Sequence, residues 1–170
     1  MLTSLLGYCI ILSIILEYNT RFLKRGDMMK VSTKGRYGLM AMFELALEYG
    51  NGPISLKTIA RNQDLSDNYL EQLFSVLRRD KLLDSVRGSQ GGYMLSKKPK
   101  DITVGEILRS LEGSLAPATC VENNEEECCK DDNCATKLVL LKIKNSIDNV
   151  VDSITLEDMI KDIGNINNKL

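Results

Sequence analysis

The chain has 170 residues, of which 44% are hydrophobic and 26% charged, and its formal net charge is −1. This length suits one globular domain with an appendage and excludes two large domains. His and Trp are both missing, which excludes Ser–His and Cys–His catalytic pairs and His-based zinc sites. Catalytic chemistry that needs His is therefore excluded, and Cys is the obvious soft metal ligand that remains.

Charge is distributed unevenly along the chain. Residues 29–119 carry 13 Lys and Arg against 10 Asp and Glu, whereas residues 120–170 carry 6 against 11. A basic working surface joined to an acidic accessory segment produces such a split, and so do ordinary solvated faces. Charge alone therefore leaves a nucleic-acid partner open.

An apolar run opens the chain within residues 1–20 and is followed by three basic residues. It is shorter than the roughly 20 apolar residues of a membrane helix, and it lacks the leading charge and cleavage site of a signal peptide. Codons for residues 24–27 can form a ribosome-binding site just before Met28 and Met29. We expect residues 1–28 to be a leader upstream of the true start, with a membrane tether as the alternative.

Helical patterns occupy residues 36 to 79. The first helix is predicted at 36–49 from an apolar stripe made of Leu39, Met42, Phe43, Ala46 and Leu47. Ser55 and Ser66 are candidate N-caps of two shorter helices, the second running from Asp67 to about Arg79. Two short helices joined by a tight turn indicate a helix-turn-helix, with a plain helical hairpin as the alternative.

A glycine-tipped hairpin is predicted next. Residues 82–87 and 93–95 have the character of short strands, and the glycines between them permit positive φ at the tip. A helix-turn-helix followed by such a hairpin is the winged-helix arrangement. Arg87, at the base of this wing, can reach a minor groove, where Arg senses groove width; a plain surface Arg is the alternative.

Further helices are predicted towards the C-terminus. Thr103 and Glu106 are spaced as a capping box, and Thr155 and Asp158 can cap a last short helix. Between them lies a long helix whose apolar seam is Leu140, Ile143, Ile147, Val150 and Ile154. The equivalent helix of a second copy is the economical partner for this seam, and packing on its own domain is the alternative.

Four of the five cysteines lie between Cys120 and Cys134, in an acidic stretch. In a reducing cytoplasm, grouped thiols are more often metal ligands or redox sensors than structural disulfides. Zinc normally shows paired C-x-x-C motifs, which this stretch lacks, so its irregular spacing favours an iron–sulfur cluster. Reactive thiols, a disulfide switch and zinc are the alternatives. Because Cys128 and Cys129 are adjacent, only one of them is expected to be a ligand.

Several separated motifs resemble the IscR family of bacterial winged-helix regulators. They are MKVSTKGRY at 29–37, YLEQLF at 69–74, VRGSQGGY at 86–93, VGE at 104–106 and SITLED at 153–158. The resemblance runs from about Met29 to about Asp158 without a large gap. It implies a cytoplasmic homodimer that binds double-stranded operator DNA, with long helices crossing between protomers and a cluster held by three loop cysteines.

The resemblance also implies which residues contact DNA. The residues at matching positions are Ser66, Asn68, Tyr69, Glu71, Gln72 and Arg87. Glu71 suits cytosine, Gln72 suits adenine or a phosphate, and Asn68 shares their base-reading face. Arg87 matches the wing arginine in the minor groove, and the remaining two match positions near the backbone, where contacts set register.

For the cluster, the resemblance implies Cys120, Cys128 and Cys134 as ligands, with Cys129 as the alternative to Cys128. A 2Fe-2S cluster is favoured over 4Fe-4S, and both stay open because the fourth ligand is unassigned.

The chain departs from its relatives at both known places for a fourth ligand. The founding cluster sensor has a His where Lys137 stands, and a nitric-oxide sensor has an Asp where Tyr37 stands. A cysteine-metabolism branch of the family lacks the cluster, and the grouped thiols argue against membership of that branch.

The sequence therefore predicts a mainly α fold. A winged helix-turn-helix domain is expected at 29–112, a cysteine-rich loop at 113–135, and a dimerisation helix with a C-terminal tail at 136–170. The expected function is transcriptional repression under control of an iron–sulfur cluster. The alternatives are a thiol-redox or cysteine-metabolism regulator without a cluster and, more remotely, an iron–sulfur electron carrier.

Overall fold

The computed structural model describes residues 31–88, 90–122 and 134–167. Its helices and strands are α1 (Thr33–Leu47), α2 (Leu56–Asn62), α3 (Asp67–Arg79), β1 (Leu83–Val86), β2 (Gly92–Leu95), α4 (Val104–Glu112), α5 (Ala135–Ser153) and α6 (Leu156–Asn167). The leader expected at 1–28, Cys128 and Cys129 lie outside the described residues. None of the described helices is long and apolar enough to cross a membrane.

The predicted mainly α fold with a small hairpin wing is confirmed. Helix α3 packs against α1, α2, α4 and β1, and its four inward side chains are at most 2% exposed. These are the predicted Leu70, Leu73, Phe74 and Leu77. Helix α3 is therefore held rigidly, and its other face is free for contacts outside the domain.

The predicted helix caps are also present. The Ser55 and Ser66 hydroxyls accept hydrogen bonds from the backbone N–H groups of Thr58 and Tyr69, at 3.1 and 3.3 Å. Thr103 forms the complete capping box with Glu106. These bonds satisfy amide groups that a helix start otherwise leaves unpaired.

The first helix differs from its prediction in position and in its buried face. It begins at Thr33 because Ser32 caps it. Its buried apolar side chains are Ala41, Met42, Leu45 and Ala46, whereas Leu47 is 52% exposed. With 3.6 residues per turn, Leu47 points away from the side of the helix that these four residues share.

A carboxylate from a distant part of the chain also holds the start of α1. Glu112 Oε1 accepts hydrogen bonds from Ser32 N at 3.2 Å, Ser32 Oγ at 2.5 Å and Gly35 N at 2.8 Å. A carboxylate is favourable here because the first amides of a helix carry partial positive charge. The end of α4 is thereby attached to the start of α1.

The wing is an antiparallel hairpin with Leu83 opposite Leu95 and Val86 opposite Gly92. Ile54 and Tyr93 exchange two backbone hydrogen bonds, of 2.9 and 2.8 Å, which anchor β2 to the segment before α2. A side chain at Gly92 would collide with the Ile54 carbonyl, so glycine is needed for this close approach.

Helix α6 packs against the core of the winged domain. Leu156 is fully buried, and Met159 and Ile160 pack against the core. At the corner between α5 and α6, Val104 N donates to Ile154 O at 2.9 Å, and Leu156 N donates to Ile102 O at 3.1 Å. The C-terminal end of α5 is therefore tied to the start of α4.

Candidate DNA interface, dimer helix and cysteine segment

The outer face of α3 carries polar side chains. Asn68, Glu71, Gln72 and Ser75 are all exposed. Among the described residues, the first three make no side-chain hydrogen bond. Because the inner face is anchored by the core, these donors and acceptors have fixed positions and are free to meet a ligand.

Ser66 and Tyr69 differ in their exposure to solvent. Ser66 is exposed at the N-cap of α3, whereas Tyr69 is half-buried. The Tyr69 ring meets the ring of Tyr37 edge-on, with centroids 6.1 Å apart, and the Arg36 guanidinium lies 4.9 Å from the centre of the Tyr37 ring. The start of α3 is thus braced against α1 by an aromatic pair.

Arg87 is exposed and follows β1 directly. Gly88 comes next, with φ of +124°, a conformation that L-residues with a side chain rarely adopt. The chain therefore turns sharply just after Arg87, which places this residue beside the tip of the wing and not at the base that the sequence predicts.

A contact between α3 and the wing was not predicted. Arg78 Nη1 donates to Ser85 Oγ at 3.2 Å. The only signal in the sequence is that an Arg in the last turn of a helix is followed closely by a short hairpin. This bond links α3 to the strand that leads to Arg87.

Helix α5 has no buried side chain in the part of the chain that the structure describes. The exposed fractions of Leu138, Val139, Ile143 and Val150 are 64%, 57%, 39% and 57%. The five residues of the predicted seam do not share one environment. Three are half-buried, namely Leu140, Ile147 and Ile154, whereas Ile143 and Val150 are exposed. The apolar surface is therefore wider than one seam, and its outer part has no partner within the described residues.

The cysteines that the structure describes flank the start of α5. Cys120 lies in a single 3-10 turn (Thr119–Val121) that packs against α5, and Cys134 directly precedes α5. Both thiols are free and half-buried. Among the described residues, no three Cys, Asp or Glu side chains come close enough together to hold a metal ion.

The comparisons with known proteins point to one class of protein, the transcriptional regulators. A profile of the Rrf2 family, described as iron-dependent transcriptional regulators, matches residues 31–162. The HTH-type transcriptional regulator CymR of Bacillus subtilis is 47% identical over 131 residues, which make up 77% of this chain and 89% of that protein. IscR of Pectobacterium atrosepticum is 36% identical over 132 residues, or 78% of this chain and 79% of that protein.

A solved structure of T. potens IscR is similar as well. It is 52% identical, with a TM-score of 0.65, and the match covers 79% of this chain and 88% of that one. The similarity therefore extends both to CymR and to IscR, and the sequence relatives of each name are HTH-type transcriptional regulators.

Proposed function

Because the chain belongs to the Rrf2 family of DNA-binding transcriptional regulators, we propose that it is a cytoplasmic, homodimeric repressor that reads operator DNA with α3 and the wing. The observation that carries this proposal is the contrast between the two faces of α3. One face is fully buried, and the other presents exposed Asn68, Glu71 and Gln72 without partners among the described residues.

The chemistry of these side chains suits base reading. The Glu71 carboxylate accepts a hydrogen bond from the exocyclic amine of cytosine, and the Gln72 amide can pair with adenine in the major groove. Ser66 and Tyr69 lie at the start of α3, where they set the register on the phosphate backbone. Arg87 enters the adjacent minor groove from the end of the wing.

The two copies bind each other through α5, a helix of 19 residues. This helix has an exposed apolar face made of Leu138, Val139, Ile143 and Val150. Two such faces bury each other across a two-fold axis, which presents two recognition helices to two half-sites.

The operator sequence can be found by selecting random duplexes that bind the full-length protein and then footprinting the protein on the selected duplexes. Glu71→Ala should lose the preference at one base pair, with a cost of about 1–3 kcal/mol at the cognate site. Arg87→Ala should weaken binding where the minor groove is narrow. Glu48→Ala, which removes an exposed charge at the C-cap of α1, is the matched control. Unchanged footprints for both Glu71→Ala and Arg87→Ala would overturn the proposal.

The signal proposed for this regulator is an iron–sulfur cluster held by Cys120, Cys128 and Cys134, with Cys129 in place of Cys128 as the alternative. Two features support it: free thiols at the described positions, and thiolate as the ligand that such clusters take. A bound cluster supplies iron chemistry that responds to iron supply and to oxidants.

A second candidate is a regulator of cysteine metabolism or thiol redox state that works without a cluster. The 47% identity to CymR favours it. In this function the same thiols react directly, and Cys120 and Cys134 have the partial exposure that a reacting thiol needs.

One preparation distinguishes the two candidates. Protein purified without oxygen is examined by absorption spectroscopy, with iron and sulfide analysis, and its Cys120→Ala and Cys134→Ala variants are treated alike. Colour with iron and sulfide, lost in both variants, supports the cluster. A colourless protein that binds the operator and forms a disulfide on oxidation supports the second candidate. Stoichiometric zinc would contradict both.

A further inference from the structure

Helix α5 meets the winged domain (residues 31–112) mainly along one helix, α4. It has no buried side chain among the described residues, so apolar packing holds it weakly. The backbone bonds at the corner between α5 and α6 fix only its C-terminal end. A helix attached in this way can change its angle unless something further along its length restrains it.

Arg109, on α4, supplies that restraint. Its Nη1 lies 2.6 Å from Asp152 Oδ1, and its Nη2 lies 2.7 Å from Asp148 Oδ1 and 3.0 Å from Asp152 Oδ2. The two carboxylates are one helical turn apart on α5, so a single guanidinium holds two successive turns. Lys144 pairs with Asp148 at 3.0 Å and offsets the second negative charge. We call Arg109, Asp148 and Asp152 the Arg109 clamp.

The ionisation of these groups reflects their pairing. Hydrogen bonds to Asp152, and then to Asp148, raise the pKa of Arg109. Hydrogen bonds from Arg109, and then from Lys144, lower the pKa of Asp148. Arg109 and Asp148 are therefore both charged at neutral pH, and charged hydrogen bonds of this kind have strict geometry.

A glycine makes room for the clamp. Gly105 lies in the first turn of α4, and a Cβ at this position would overlap the Asp152 carboxylate and crowd Arg109 Nη1. Gly is unfavourable in a helix by about 1 kcal/mol relative to Ala. Its place in the VGE motif is explained by the close approach of α5, which no other residue permits.

We propose that Arg109 is a positioning residue that sets the angle between the winged domain and α5, and thereby the spacing of the two recognition helices in the dimer. The inference rests on the proposed dimeric operator binding and adds the element that determines which half-site spacing is accepted. A planar fork that grips two carboxylates resists rotation better than one apolar contact, because its hydrogen bonds depend on direction as well as distance.

The test uses full-length protein at one fixed salt concentration. Three duplexes are compared: the operator selected by the wild type, the same operator with one base pair inserted between its half-sites, and a single half-site. Arg109→Gln should reduce the preference for the selected spacing over the altered spacing by roughly fivefold, since ion pairs of this exposure contribute modestly. Affinity for the single half-site should stay within twofold, because α3 and the wing are untouched.

Two further variants separate positioning from folding. Gly105→Ala keeps every charge but displaces the Asp152 carboxylate, so it should relax the spacing preference as well. Lys161→Gln removes an exposed ion pair within α6 alone and should change nothing. An unchanged spacing preference in both Arg109→Gln and Gly105→Ala would overturn the proposal, as would an equal loss of affinity on the single half-site.

A readout without DNA keeps the inference separate from the proposed function. Spin labels on a non-natural residue at Lys57, in α2 of each protomer, report the distance between the two winged domains. Arg109→Gln should broaden the distance distribution relative to the wild type. A broadened distribution in a protein that selects no operator would support the clamp and contradict the proposed DNA function. An unchanged distribution would contradict the clamp itself.

Discussion

Helices α3 and α5 are both amphipathic, but they use their two faces in opposite ways. Helix α3 buries four large apolar side chains completely and exposes polar ones, whereas α5 buries none among the described residues and exposes Leu138, Val139, Ile143 and Val150. The polar outer face of α3 is well solvated, so it can stay exposed in the free protein and bind a ligand by hydrogen bonds. The apolar outer face of α5 is costly in water and favours a permanent protein partner.

The sharpest test of this contrast changes the inner face of α3. Phe74→Ala should destabilise the fold by about 3–5 kcal/mol, because it leaves a cavity where a fully buried ring packs on Tyr93. Urea unfolding at a fixed protein concentration measures the change. Ser75→Ala, on the outer face of the same helix, should stay within about 0.5 kcal/mol. Equal effects would mean that α3 does not divide into an inner and an outer face.

A charge on the outer face of α5 tests the other half of the comparison. Val150→Asp should raise the dissociation constant of the dimer at least about 100-fold, which corresponds to about 3 kcal/mol, because an unpaired carboxylate would be buried. Sedimentation velocity measures this change. Asn149→Asp adds the same charge at the exposed neighbouring position and should leave the dimer intact. A Val150→Asp protein that stays dimeric would place the interface elsewhere.

The contrast also explains what could be predicted from the sequence. The inner residues of α3 follow a simple helical period, so the buried set and both serine caps are correctly predicted. The seam of α5 is correct as a pattern, but the half that faces its own domain could not be identified. The Asp148 and Asp152 carboxylates occupy that side, and their partner Arg109 is 39 and 43 positions away in the sequence.

The capping box at the start of α4, which lies between α3 and α5 in the chain, provides a smaller test. Thr103→Ala should cost about 1 kcal/mol, because it removes half of the capping box at the start of α4. Thermal unfolding gives the change. Thr136→Ala, in the exposed first turn of α5, where no side-chain cap exists, serves as the control and should have little effect. A loss as large as that of Phe74→Ala would mean that the cap holds more than one helix end.

The smallest expected effect is a pH dependence in the Arg109 clamp. Folding lowers the pKa of Asp148, mainly through the hydrogen bond from Arg109. Its contribution is therefore complete above the ordinary aspartate value of about 3.9 and is lost as pH falls from there towards the lower pKa of the folded state. The stability difference between wild type and Asp148→Asn, expected to be below about 1 kcal/mol, should shrink over that range.

Urea titrations at several pH values measure this difference. Asp162→Asn, at an exposed position of α6, controls for the loss of one carboxylate. A difference that grows on acidification would show that Asp148 destabilises the fold.

The sequence predicts the exposure of the residues proposed to contact DNA better than it predicts the chemistry of the cysteines. The exposure of Asn68, Glu71 and Gln72 follows from the period of α3. The half-buried position of Tyr69 does not, because its neighbour Tyr37 is on another helix. For the cysteines, the sequence indicates thiolate chemistry, but it contains no His to complete the set. Which chemistry these thiols perform depends on their approach in three dimensions, which loop spacing does not determine.

The bond between Glu112 and the first turn of α1 has a consequence for synthesis. Ser32 and Glu112 are 80 positions apart, and a ribosome makes the chain from its amino end. Helix α1 is therefore among the first parts of the domain to be made. Its Ser32 and Gly35 amides nonetheless lack their carboxylate acceptor until α4 has emerged. A nascent chain halted before residue 112 leaves both groups to water, so the start of α1 gains its full set of hydrogen bonds only after α4 has been made.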